Sequence, residues 1–160
     1  MIDFGTLLGA LAREGVRFVV VGGAAATVHG AARLTQDLDI VYDRSRANLD
    51  ALARALAPLR PYLRGAPPGL PFRLDAETLR RGLNFTLTTE AGDLDLLGEI
   101  TGGGTYADLR DHAMRVVAFG VGIECLDLPT LIAVKRAAGR PKDFEAIAEL
   151  EAILDEEDES

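Results

Sequence analysis

The residues of this chain best suited to chemistry are Asp37 and Asp39, one residue apart in Thr35-Gln-Asp-Leu-Asp-Ile40. In a strand alternate side chains share a face, so the two carboxylates lie about 7 Å apart along one side while Leu38 and Ile40 face the other. Adjacent carboxylates repel each other and normally require a cation between them, for which a hard divalent ion is suited. Upstream, the β-branched run Val19-Val-Val21 ends at Gly22-Gly23, and Ala24 to Val28 then re-enters a helix. The glycine pair permits a tight turn and close approach of another backbone or a phosphate. At a helix N-terminus it also offers unpaired N–H groups to an anion, which the helix dipole favours. A strand, a glycine turn, a helix and an acidic strand in this order suit metal-assisted nucleotide chemistry.

The elements that must position these groups are legible in part. Apolar spacing predicts an opening helix over Phe4 to Glu14, ended by Gly15. Strand Arg17 to Val21, a helix from Gly23 to Gly30 and strand Leu38 to Tyr42 follow. A second amphipathic helix spans Asn48 to Leu59 beside Pro58 and Pro61, and Gly65-Ala-Pro-Pro-Gly-Leu-Pro71 reads as a surface loop. Leu83 to Thr89 alternates as a strand, Glu90-Ala-Gly92 reverses the chain, and Asp93 to Leu97 returns as its hairpin partner. After a Gly102-Gly-Gly104 loop come a short helix at Tyr106 to His112 and a strand pair, Val116 to Phe119 and Ile123 to Leu126, about Gly120. Helices Pro129 to Ala138 and Pro141 to Leu154 close the chain across Gly139. These elements imply a single α/β domain, a mixed sheet with helices packed on it.

Length and composition set the bounds. The 160 residues suit one domain over 1–154, with the acidic run 155–160 read as a frayed, solvated tail. No apolar run approaches a membrane span and no cationic leader precedes an apolar segment, so a cytoplasmic protein with no membrane partner is expected. Cys125 stands alone, and with only His29 and His112 beside it a zinc site of nitrogen and sulfur ligands is disfavoured. The net charge of −8 argues against a broad nucleic-acid surface.

Gly22-Gly23, then Asp37-Leu-Asp-Ile40, then a later carboxylate in Gly92-Asp-Leu-Asp-Leu-Leu97, resemble the nucleotidyltransferase superfamily related to DNA polymerase β. Residues 128–143, Leu-Pro-Thr-Leu-Ile-Ala-Val-Lys-Arg-Ala-Ala-Gly-Arg-Pro-Lys-Asp, are similar more narrowly to small prokaryotic nucleotidyltransferases of the AbiEii toxin type. The resemblance implies transfer of a nucleoside monophosphate from a nucleoside triphosphate such as ATP to an acceptor, with release of pyrophosphate. It implies Mg2+, or Mn2+ in its place, on Asp37, Asp39 and a third carboxylate that helps activate the acceptor hydroxyl. Asp93 and Asp95 share a face and compete for that third role. Asp95 is preferred, because Asp93 adjoins the turn while Asp95 lies among Leu94, Leu96 and Leu97. The resemblance also places Gly22, Gly23, Arg33 and Lys135 at the nucleotide, with Thr35 capping the turn and Arg140 and Lys142 nearby. The acceptor is open among a small molecule, a protein side chain and an RNA end, and an antitoxin would be the partner of a toxin-type relative.

Two rival readings come from other classes. A dinucleotide-binding unit needs glycine at positions 24 and 27, which hold Ala24 and Thr27, and explains only one of the two acids. A nucleotide-binding or partner-binding protein on the same scaffold, without transfer, is the second; three retained carboxylates weigh against it.

Overall fold

A computed structural model describes residues 2–141 and 143–159. The chain opens with α1 (Phe4–Arg13), whose first turn is capped by Asp3 accepting from the Thr6 N–H at 3.0 Å, and which ends before Gly15 at φ +70°. Strand β1 (Phe18–Val21) runs straight into α2 (Gly22–Val28), and β2 (Asp37–Tyr42) and α3 (Arg46–Leu56) follow. The next elements are β3 (Tyr62–Leu63), α4 (Ala76–Arg81), β4 (Phe85–Thr89) and β5 (Gly92–Leu97). A small ribbon of β6 (Glu99–Ile100) and β7 (Gly104–Thr105) leads to α5 (Tyr106–Leu109) and the hairpin of β8 (Ala113–Ala118) and β9 (Val121–Leu126). Helices α6 (Leu128–Ala138) and α7 (Asp143–Asp158) complete the chain.

Seven strands form one mixed sheet in the order β3-β4-β5-β2-β1-β9-β8. β1 pairs antiparallel with β2, while β2 lies parallel to β5 and β1 parallel to β9. The central position of β1 explains its uniform Phe-Val-Val-Val: all four residues are buried, as a strand covered on both faces requires. On β2, Leu38 and Ile40 are fully buried in the core with Leu94 and Leu96 of β5, which leaves Asp37 and Asp39 on the opposite side. Leu7, Leu8 and Leu11 of α1, Leu52 and Leu56 of α3, and Leu131 and Ile132 of α6 belong to the same core.

The expected single-domain mixed α/β arrangement is present, with differences at its edges. The second amphipathic helix runs Arg46–Leu56, capped by Ser45, and tightens into a 3-10 turn over Ala57–Leu59 around Pro58. The acidic residues 155–158 continue α7 as exposed helix instead of fraying, because Ile153 and Leu154 still pack on the core and Glu tolerates a helix well. β3, α4 and the β6–β7 ribbon lie where no regular element was expected. Lys142 lies outside the described residues.

Candidate active site

The parallel register of β2 against β5 sets Asp37 beside Asp93 and Asp39 beside Asp95. Each of Asp37, Asp39 and Asp95 offers one carboxylate oxygen to a cluster in which these atoms lie within 4.8 Å of one another, and all three side chains are half-buried. Asp93 does not join them. Its carboxylate is 40% exposed and lies 3.3 Å from Arg64 Nε. Arg64, at the end of β3, reaches across β4: its Nη2 donates to Leu87 O at 2.7 Å and to Asp95 Oδ1 at 2.8 Å. The Arg64 Nε, though near Asp93, is buried without an aligned hydrogen-bond acceptor among the described residues.

The cluster carries an electrostatic load. Burial pushes the Asp39 carboxyl up to about 8, helped by the charges of Asp37 and Asp95 and by a hydrogen bond to Asp95, with Arg64 acting in the opposite direction. Asp39 Oδ1 is buried without any donor among the described residues, so when Asp39 is protonated its hydroxyl is the group that can bond to Asp95. An orphaned carboxylate oxygen facing two further carboxylates is a donor set of hard oxygens, which fits Mg2+ or Mn2+ and not a soft metal. Asp37, Asp39 and Asp95 would hold such an ion.

The glycine turn is built around Asp39. Gly22 stands at φ +63°, and a Cβ there would overlap the Asp39 Oδ2 atom. A Cβ on Gly23 would come within 2.7 Å of the Thr35 hydroxyl. Thr35 in turn donates to Asp37 O at 3.1 Å and reaches Asp37 Oδ1 at 3.3 Å, so it holds the first carboxylate by side chain and backbone together. The N-cap position of α2 is Val21, which supplies no side-chain cap to the first helical N–H groups.

A groove of about 390 Å³ adjoins the cluster, lined by Gly22, Asp39, Thr101, Leu131, Lys135 and Arg140 among others. A smaller one of about 150 Å³ lies behind Gly23, between Arg33, Thr35 and Lys135. Lys135 borders both, is half-buried, and makes no ion pair among the described residues. Arg33 is exposed and paired with Glu145 at 3.2 Å, and Arg140 is paired with the buried Asp143 at 2.8 Å. Their cationic groups are therefore shared with α7. The ribbon carrying Thr101 is held on α6 at Gly102, whose φ of +78° and contact with Ala137 leave no room for a side chain.

Other polar residues are occupied elsewhere. His29 caps the end of α2 and its Nε2 bonds Leu126 O at 2.8 Å, as a packed helix histidine would. Tyr42 is fully buried, donates to Leu83 O at 2.7 Å and accepts from Arg44, and Tyr106 lines a different groove with Arg17 and Arg115. Neither borders the acidic cluster. Burial pushes the Cys125 thiol up to about 12, which makes it a core residue and not a nucleophile. Arg64 is the residue sequence reasoning missed; a lone arginine beside a proline-rich loop gives no periodic or motif signal.

The fold is similar to that of a protein from Thermotoga maritima whose crystal structure is described as a "putative nucleotidyltransferase". The TM-score is 0.57 at 17% sequence identity, over 89% of this chain and 86% of that one. No family model matches the sequence, and no curated protein matches it either. Among the described residues no helix is long and apolar enough to cross a membrane. The chain thus has a single-domain mixed α/β fold of the nucleotidyltransferase type.

Proposed function

We propose that this chain is a Mg2+-dependent nucleotidyltransferase, with Mn2+ as a substitute, that moves a nucleoside monophosphate from a nucleoside triphosphate to an acceptor and releases pyrophosphate. The observation that carries the reading is the Asp37, Asp39 and Asp95 cluster gathered on two parallel strands against the Gly22 turn. Divalent ions held there would stabilise the attacking and leaving oxygens of an in-line displacement. Asp95 takes the proton of the acceptor hydroxyl as its oxygen attacks the α-phosphorus. The backbone N–H groups at Gly22 and Gly23, which Val21 does not cap, and Lys135, unpaired among the described residues, bind the triphosphate, and Thr35 keeps Asp37 oriented. Arg33 reaches a phosphate once it leaves Glu145.

The acceptor is a small molecule, a protein side chain or an RNA end. The net charge of −8 favours a local grip over an extended nucleic-acid contact. The likeness of residues 128–143 to AbiEii-type relatives supports a cytoplasmic toxin whose partner is an antitoxin. Incubation with each labelled nucleoside triphosphate, Mg2+ and fractionated cell extract tests the activity. Label transferred by wild type and not by Asp39→Asn is the expected result. Mg2+-nucleotide binding without transfer to any fraction would favour a binding protein on this scaffold.

A further inference from the structure

The pairing of β2 with β5 leaves two carboxylates of β5, Asp93 and Asp95, beside the acidic pair of β2. Alternation puts all four on one face, so the backbone does not decide which of the two joins the cluster. Arg64 separates them. One nitrogen, Nη2, is tied to both Leu87 O of β4 and Asp95 Oδ1, while Nε faces Asp93 Oδ2 at 3.3 Å. The bond to Leu87 O fixes the guanidinium against the sheet, so it cannot follow either carboxylate. Asp95, bonded to Arg64 through Oδ1, also offers a carboxylate oxygen to the cluster with Asp37 and Asp39. Asp93, at the more exposed end, is drawn to the outer side of the same cation.

We propose that Arg64 is a positioning residue that selects Asp95 over Asp93 for the site and serves as its resident counter-charge before a divalent cation binds. The inference rests on the proposed function of the carboxylate cluster. Two consequences run in opposite directions. Without a divalent ion, Arg64 offsets the negative charge gathered around it by Asp93 and Asp95, so its removal lowers stability. With an ion, the same positive charge opposes the incoming cation, so its removal tightens binding. At a separation of about 6 Å in high dielectric, one charge acting on a divalent ion corresponds to roughly a tenfold change in affinity. A brace that acts only through packing would lower both quantities together.

The test uses the full chain as wild type, Arg64→Gln and Arg64→Lys, with thermal unfolding in EDTA and titration by Mn2+ followed by electron paramagnetic resonance. Arg64→Gln is expected to melt lower in EDTA and to bind Mn2+ several-fold to tenfold more tightly than wild type. Arg64→Lys keeps the charge but lacks the fork that spans Leu87 O and both aspartates, so its Mn2+ affinity stays near that of wild type while its EDTA stability falls between the other two. Unchanged affinity in Arg64→Gln, or affinity and stability falling together, overturns the inference and leaves the proposed function standing. A wild-type protein that binds no Mn2+ overturns both.

Discussion

Replacing Asp39 by Asn is expected to make the metal-free protein more stable while removing its response to divalent cations. The carboxyl stands at about 8 against an ordinary 3.8, chiefly because it is buried and secondarily because Asp37 and Asp95 face it. Between those two values the unfolded chain has released the Asp39 proton and the folded one retains it. The unfolded state therefore binds fewer protons, and this group's contribution to stability falls as pH rises from about 4 to about 8, then levels off. At about 1.4 kcal/mol per pH unit, the cost reaches at most about 4 kcal/mol at pH 7. Water entry and solvent screening relieve much of that, which leaves about 1–2 kcal/mol. For a chain of this size the gain corresponds to a rise in melting temperature of roughly 2–8 °C.

The assay compares wild type and Asp39→Asn by thermal or urea unfolding in EDTA at intervals from pH 4 to pH 8. Taking the difference between the two cancels the titration of every other group. The difference is expected to be near zero at pH 4 and to grow with pH in favour of the variant. Millimolar Mg2+ is then expected to raise the melting temperature of wild type alone, since a ligand that binds only the folded state stabilises it. A difference that does not vary with pH, or a variant less stable at pH 8, would refute the electrostatic reasoning. An equal Mg2+ response in both proteins would refute the metal site.

Because a cation must displace the Asp39 proton, Mg2+ binding to wild type should strengthen as pH rises toward about 8 and release protons into the buffer, measurable by calorimetry in buffers of different ionisation enthalpy. Asp95→Asn should retain most of the Mg2+-nucleotide affinity and lose transfer, whereas Asp93→Asn should change transfer little; the reverse pattern would move the acceptor-activating role to Asp93. Gly22→Ala should cost roughly 2–4 kcal/mol in urea unfolding, from the left-handed backbone and the overlap with Asp39 together. Expression of wild type alone should slow bacterial growth and Asp37→Asn should relieve it, and equal growth at matched soluble expression would remove the toxin role while leaving transfer untouched.

What could be read from the sequence was whatever depends on local alternation. Asp37 and Asp39 share a face because strands repeat every two residues, and Gly22-Gly23 marks a turn because only glycine fits there. Tertiary contact shows why the pair matters: the space a side chain would need at Gly22 is filled by the Asp39 carboxylate, fifteen or more residues along the chain. The opening helix was legible from its apolar spacing, and the structure adds the caps that fix the starts of α1 and α6, Asp3 and Asp127. β3 and α4 were not, because two residues are too few to show a period. The one buried residue in α4 is Leu79, and a single apolar residue defines no stripe.

The harder case is the choice between Asp93 and Asp95, for which the leucines around Asp95 gave a preference but no mechanism. Parallel pairing aligns both with β2 carboxylates, and it is a cation from another strand that divides them, the Arg64 guanidinium held by Leu87 O. Nothing near Arg64 in sequence marks it, since β3 is brought beside β4 only when the whole sheet assembles. The acidic cluster is therefore partly a product of long-range topology. Its carboxylates are set by the period of two strands, and their relative placement by an arginine that neither strand contains. For this reason Arg64→Gln and Asp39→Asn are expected to be non-additive in metal-free stability, because each changes the charge that the other answers. The double variant should be more stable in EDTA than the sum of the two single changes predicts, and strict additivity would show that Arg64 and Asp39 do not sense one another.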